Sequence, residues 1–413
     1  MHKILFNPFD PAFRADPYPF YDELRELEPV HVSPFGSIVL SRYEDVVSTL
    51  RSNDFSRDVE AHATAPGDPN LAARRERRRQ QIDEGRAAKT ILNLDPPDHT
   101  RLRRLVSLAF TPSAIERLRP RVQALVDAVL DRAAERGTME LVDELAFPVP
   151  FQVISDLLAM PTERSAELRQ WSQALTAALE PTATVVELAA ADAAGRAMTE
   201  YLHDVIADRR RHLGDDLLSS LILAEEAGDR LSPIELQSFV TLLYVAGHET
   251  TVNLIGNGTL ALLRHRDQIT RWRADPTHGG RYVDELLRYD GPVQLTVRIP
   301  LVPVRFGDVE VAPGTTVMPL LGAANHDPTV FDRPHELRLD RTNANRHVAF
   351  SSGIHYCLGA SLARLEAEVA IGSLVTRFDT IELLDDPGWR DRLTIRGVDR
   401  LSLAVSQSGA RTA

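Results

Sequence analysis

The segment "SPIELQSFVTLLYVAGHETTVNLIGNGTLALLRHRDQ" sets the strongest limit on what this chain can become. Ser232 is placed as an N-cap, Pro233 as the first helical residue and Glu235 to complete a capping box. The apolar spacing that follows predicts one helix of about thirty residues, about 45 Å long at 1.5 Å per residue. A helix of that length crosses the whole molecule and must be buried along much of its course. Yet Gly247, His248, Glu249, Thr250 and Thr251 stand at its centre. Glycine weakens a helix by about 1 kcal/mol, and a charged side chain in a core costs more. Local rules broken in the middle of the best-capped helix mark a functional site.

Helical periodicity dominates the rest of the middle of the chain. "TRLRRLVSLAF", "IERLRPRVQALVDAVLDRAAERG", "QVISDLLAMP" and "MTEYLHDVIADRRRHLG" all space apolar residues by three and four. Strand patterns gather in "VHVSPFGSIVLS", in "TVRIPLVPVRFGDVEVAPGTTVMPL" and in "DTIELL" with "LTIRGVDRLSLAV", each punctuated by Gly or Pro. The expected architecture is mostly α with small antiparallel β-sheets, a single domain over residues 1–413. "RRERRR", Arg74–Arg79, lies in a polar stretch from about Ala61 to Lys89 and reads as a solvated helix or mobile loop. "GNGTLA" mimics a dinucleotide fingerprint but follows helix rather than strand, so Gly256 and Gly258 read as close-packing residues.

Composition narrows the function. A net charge of −12 and a pI near 5.6 argue against a nucleic-acid binder held by phosphate contacts. The start "MHKILFNPFDPAF" lacks the apolar core of a signal peptide, and no run of about 18 apolar residues predicts a membrane span. A single Cys among 413 residues cannot form an internal disulfide, which fits a reducing cytoplasm. That Cys357 is either a packing residue or a reactive one. It sits in "FSSGIHYCLG", just before the helix-like "ASLARLEAEVAIGSL", so free N–H groups at a helix start would favour its thiolate. Gly353 and Gly359 would let the backbone wrap a bulky planar group. The thiolate could then act as a nucleophile or as an iron ligand.

Phe350, Gly353, His355, Cys357 and Gly359 form F-x-x-G-x-H-x-C-x-G, which resembles the haem-binding signature of the cytochromes P-450. Further blocks match that family in order along the entire chain. "DPPDHTRLRRLVSLAF", "AGHETT", "ELLR" (Glu285 to Arg288), "TVRIP" and "AANHDP" are the ones that carry the resemblance. It implies a long central helix over haem b, with Cys357 as the metal ligand. It also implies that His99, Arg103, Arg298 and His355 hold the two propionates, with Ala246, Gly247, Phe350 and Gly359 against the cofactor. Gly247 would leave a notch for dioxygen, and Glu249 with Thr250 would manage protons as the catalytic pair. Glu285 and Arg288 would form a buried structural pair, with Arg341 as the candidate third member. Ser351 stands where the family's first loop turn more commonly has Gly.

The activity so implied is a monooxygenase that inserts one atom of dioxygen into a hydrophobic organic substrate by hydroxylation or epoxidation. No flavin or iron–sulfur module is recognisable in the sequence. Electrons are therefore expected from a ferredoxin and an NAD(P)H-dependent ferredoxin reductase. Arg101, Arg103, Arg104, Arg346 and Arg364 are candidates for a basic patch steering an acidic ferredoxin. A monomer acting in the cytoplasm is the default expectation. Rival readings are a peroxide-driven peroxygenase, a non-catalytic haem sensor and a Cys–His hydrolase using Cys357 and His355. Val245, Val293, Leu295 and Ile395 are the expected pocket-lining residues, with the stretches 61–92 and 175–191 as variable loops. "ALTAALEPTATVVELAAADAAG" reads as two helices and a mobile connection forming a lid.

Overall fold

The computed structural model describes residues 6–407 apart from 65–68, 86, 108, 181 and 227–230. Parts of the expected loop 61–92, Pro181 of the lid, Leu108 and the extreme N-terminus therefore lie outside the described residues. The central helix runs Pro233–Arg264, and its capping box is present in both directions: Ser232 Oγ accepts the Glu235 N–H, and Glu235 accepts the Ser232 N–H. From Thr251 to Leu263 every residue of it is buried. Helices Pro148–Leu157, Val185–Arg211, Gly279–Asp290 and Ala360–Arg377 pack around it, and their apolar faces merge into the largest hydrophobic cluster of the molecule.

The glycines of "GNGTLA" have the packing role read from the sequence. A Cβ on Gly256 would come within 2.8 Å of Val398, and one on Gly258 within 3.0 Å of Ile371 and Leu286. Helix Arg119–Arg136 closes on Gly137 in the left-handed conformation (φ 71°), a normal glycine stop.

The sheets are small, and one pairing differs from expectation. Strands Thr138–Glu140, Ser402–Ser406 and Thr380–Leu383 form an antiparallel sheet, and Val304–Phe306 and Val309–Val311 form a hairpin. Val30–Val32 pairs antiparallel with Ile38–Leu40, but Ile38–Leu40 pairs parallel with Val317–Pro319. A local hairpin is necessarily antiparallel. This parallel pair joins the first strands to a segment far along the chain, which no local pattern announces.

The arginine run takes the helical form of the two expected, with Arg77 and Arg79 exposed, but it is not simply solvated. It lies on helix Pro69–Asp83, and its guanidinium groups donate to backbone carbonyls: Arg74 to Glu180 and Ala178, Arg75 to Ala63, Arg78 to Ala88 and Arg79 to Glu60. Arg77 pairs with Asp192. The run is a strap that ties neighbouring segments together.

Candidate functional site

The Cys loop is folded by local turns. The Cys357 N–H donates to the Phe350 carbonyl at 2.9 Å, and the Ser351 N–H to Val348 at 2.8 Å. Gly353 takes φ 70°, and a Cβ there would lie 2.5 Å from the Leu50 carbonyl oxygen, so only glycine fits. Ser351 also takes a positive φ of 62°, and its hydroxyl is buried without a partner. At this position, where Gly is the commoner residue, the turn keeps the glycine conformation and the serine carries its strain.

Cys357 is closely surrounded by protein yet keeps accessible surface. The helix following it begins at Ala360, and the Gly359 N–H is directed at the sulfur. Burial nevertheless pushes the thiol up, against that N–H and the cations Arg103 and Arg364, so the helix start alone does not hold a thiolate. A Cβ on Gly359 would meet no protein atom within 4 Å. Phe350 is half-buried beneath the Arg364 guanidinium, 4.7 Å from its ring centre.

A cationic cluster adjoins this loop. His99 and Arg103, one turn apart on helix Asp98–Ser107, come to the Cys loop together. The His99 and His355 rings are 4.4 Å apart, and Arg103 donates to the Tyr356 carbonyl at 2.7 Å. His99 is 2 % exposed and its Nε2 has no partner. Burial, then Arg298, His99, Arg57 and Arg103, drive His355 down to about 3. Arg298, also 2 % exposed, is lowered to about 9 by burial and by Arg57. Its Nη1 finds only Thr296 Oγ1 and the Val297 carbonyl. Arg57, lowered to about 10, was not foreseen, nor was Asp95, which accepts the Arg57 N–H and is the one carboxylate acting on Arg298.

The middle of the central helix opens on one side. Ala246 is exposed, Val245, Gly247 and Thr250 are half-buried, and the Thr250 hydroxyl donates to the Ala246 carbonyl at 3.1 Å. Gly247 does not make the expected notch. Where its side chain would project, Ile154 lies 2.9 Å away, so its smallness serves helix packing and the open surface belongs to Ala246. Glu249 does not sit beside the Thr250 hydroxyl as a hydrogen-bond partner. It is buried and paired with Arg390 at 2.6 Å. His248 is a core residue between the rings of Phe147, Phe151 and Tyr244, its Nδ1 on the Tyr244 carbonyl.

Glu366 is fully buried next to the Thr251 hydroxyl of the central helix, and its carboxyl oxygens find no other polar group. Burial pushes it well above the carboxylate range, against the Thr251 hydroxyl, which pulls the other way. The sequence analysis did not single out Glu366, because nothing local tells a buried glutamate on a helix from a solvated one.

Glu285 and Arg288 are brought together as a fully buried pair, at 2.7 and 2.9 Å, and Arg341 joins them with its Nε 3.0 and 3.1 Å from the Glu285 oxygens. Of the pocket guesses, Val293 and Ile395 face each other across an isolated bridge. Leu295 instead packs in a side cluster with Phe13, Tyr21 and Leu320. The proposed basic patch is largely engaged. Arg101 pairs with Glu235, Arg364 with Asp284, and Arg346 lies over the Tyr43 ring.

The chain matches the family profile described as "Cytochrome P450" over residues 57–275 and 281–391. It is 42% identical to "Cytochrome P450 107B1" of Saccharopolyspora erythraea, covering 95% of this chain and 96% of that protein. It is 40% identical to "Cytochrome P450 monooxygenase PikC" of Streptomyces venezuelae, over 95% and 91%. Among solved structures, the myxobacterial cytochrome P450 CYP267B1 in complex with myristic acid superposes with a TM-score of 0.87 at 38% identity, over 97% and 98% of the two chains.

Proposed function

The chain belongs to the cytochrome P450 family, an oxygen-incorporating class of oxidoreductase, and from that premise we propose that Cys357 ligates haem b in a monooxygenase acting on a largely apolar substrate. The residues present fit such a group. Arg57, Arg103, Arg298, His99 and His355 crowd five positive or protonatable groups near two carboxylates, Asp95 and Glu60, with His99 Nε2 unpartnered and Arg298 making no direct carboxylate contact among the described residues. Two propionates are the chemistry such a cluster is short of. Cys357 keeps open surface beside Gly359, where a planar group can approach the backbone closely.

Bound haem would supply dioxygen activation, so that two electrons and two protons yield one inserted oxygen atom and one water. The chain's own residues do the remaining work. Cys357 would hold the iron as its thiolate, a state that the metal's charge would favour over the burial that otherwise opposes it. Ala246 keeps one helix face low and open. Thr250 holds a hydroxyl there that both donates and accepts, with its resting hydrogen bond on the Ala246 carbonyl. Glu249 is kept in place by Arg390, so any proton that it passes to Thr250 travels after that pair loosens or through water. Electrons come from a ferredoxin and its NAD(P)H-dependent reductase. The myristic acid bound by CYP267B1 and the apolar Val293 and Ile395 support an apolar ligand.

The observation that carries this reading is the lone Cys357 beside a cluster in which Arg298 makes no direct carboxylate contact among the described residues and His99 Nε2 has no partner. The test is spectroscopic. The reduced CO complex should show the long-wavelength Soret band of a thiolate-ligated haem, and Cys357→Ser should abolish it. Retention of that band in the variant overturns the assignment. Thr250→Ala should keep the band while diverting reduced oxygen to hydrogen peroxide; unchanged coupling removes Thr250 from proton handling.

A further inference from the structure

The histidine of "AANHDP" takes no part in the site described above, yet it is held in place with unusual care. His326 is 2% exposed, and the Tyr18 ring stacks on it at 4.2 Å. Its Nδ1 lies 3.3 Å from Nδ1 of His335, a residue whose side chain is 51% exposed. The other nitrogen of each ring is committed elsewhere. His326 Nε2 is 2.8 Å from the Tyr289 carbonyl, and His335 Nε2 is 2.8 Å from Oδ2 of Asp22 on helix Tyr18–Leu27. A carbonyl and a carboxylate only accept hydrogen bonds, so both Nε2 atoms carry the proton. In neutral rings the two Nδ1 atoms then present lone pairs to each other. At this separation the lone pairs repel unless a cation lies between them.

The spacing matches a metal ion. A tetrahedral ion about 2.0 to 2.1 Å from each of two imidazole nitrogens sets those nitrogens roughly 3.3 Å apart. The surroundings match as well, because a ligating His gives its other N–H to a carboxylate or a backbone carbonyl, the groups that Asp22 and Tyr289 supply. Burial, then Arg288, pushes His326 well below its ordinary value, which keeps the ring neutral and free to ligate. The nearby cations are each offset by a carboxylate, Arg288 by Glu285 and Arg25 by Asp22. Among the described residues no third His, Cys, Asp or Glu joins the pair as a ligand. Water fills the remaining positions, supplied by a cavity of about 460 Å³ that His335 lines together with His265, Asp267 and Glu336.

We propose that His326 and His335 bind a divalent transition-metal ion, with zinc the best match to two imidazoles and water, and that this ion fastens the stretch 333–336 to the body of the protein. Arg288 already grips that stretch, its Nη1 donating to the Pro334 carbonyl at 2.8 Å, and the ion adds a second hold one residue further on. Asp22 is a positioning residue, since it acts through the His335 ring. The site is independent of the monooxygenase reading.

The experiment titrates Zn²⁺ into chelator-treated holoenzyme at neutral pH by calorimetry. Wild type should bind one equivalent with a Kd of about 100 μM or tighter, well short of a four-ligand structural site. His335→Ala should lose that equivalent. Asp22→Ala keeps both ligands and should weaken binding by about ten-fold or more; it also serves if the His335 variant does not fold. Cu²⁺ as a second probe should give an electron paramagnetic resonance spectrum split by two ring nitrogens, and His335→Ala should lose that pattern. Bound Zn²⁺ should slow hydrogen exchange roughly three-fold or more in peptides covering 332–337. An equivalent retained unchanged in His335→Ala overturns the site, because another histidine then holds the ion. No Zn²⁺ binding tighter than about 1 mM in wild type also overturns it and leaves a shared proton between the rings. Wild-type affinity in Asp22→Ala overturns the positioning role, and unchanged exchange over 332–337 with zinc bound overturns the fastening.

Discussion

Arg390 places its Nη1 2.6 Å from Oε1 of Glu249, with both side chains under 10% exposed, and so joins the irregular C-terminal stretch to the middle of the central helix. Removing one member of a buried pair strands the other. Arg390→Ala should therefore destabilise the protein by about 3 to 5 kcal/mol. The double variant Arg390→Met with Glu249→Gln should recover much of that loss. Urea unfolding of the two single variants and the double gives the coupling directly. Additive single effects would show that the pair does not act as one.

The Glu285 carboxylate accepts from Arg288 at two points, from Arg341 Nε and from the Arg338 N–H at 2.9 Å. Glu285→Gln replaces half of that acceptor with a donor facing guanidinium groups. A loss of about 3 to 5 kcal/mol is expected, with weaker retention of haem, because Arg288 and Arg341 of the network also hold the backbone carbonyls of the stretch 332–336 that leads to the Cys loop. Thermal unfolding and haem content measure both. Wild-type stability in the variant would reduce the network to a surface-like contribution.

Ser351 holds a positive φ with its hydroxyl buried and unpartnered. Ser351→Gly should stabilise by about 0.5 to 1 kcal/mol, the relief of the left-handed backbone less the entropy that glycine adds to the unfolded chain. Ser351→Ala retains the strain and should not match it. Denaturant midpoints of the three proteins decide the point.

Glu366 is pushed well above the usual carboxylate range by burial. In the unfolded chain it loses its proton near the ordinary Glu value, while the folded protein keeps it. Stability therefore falls as pH rises through that window, by up to about 1.4 kcal/mol per pH unit. Glu366→Gln removes this one-proton slope, so the variant should gain on wild type as pH rises above the ordinary Glu range. Urea midpoints across that range test it, and parallel curves would contradict it.

What the sequence made legible was local. The Ser232–Glu235 cap, the Cys357 loop and the Glu285–Arg288 pair each lie within a few residues, so spacing alone brings their members together. What it concealed depends on how distant segments cross. Arg390 meets Glu249 across 141 positions, and Glu180 meets Leu393 across 213. Gly247 shows a subtler limit: its smallness was readable, but only the course of helix Pro148–Leu157 assigns that space to Ile154. The arginine run misled for the same reason, because a charge run looks solvated until the carbonyls it meets are known.

The parallel strand pair has a consequence for synthesis. Ile38–Leu40 is almost wholly covered in the finished protein, and one of its edges is satisfied only by Val317–Pro319. A chain leaving the ribosome must carry that apolar edge bare until Pro319 emerges, an open invitation to pairing with other nascent chains. Truncated products ending before that strand are accordingly candidates for chaperone capture and inclusion bodies.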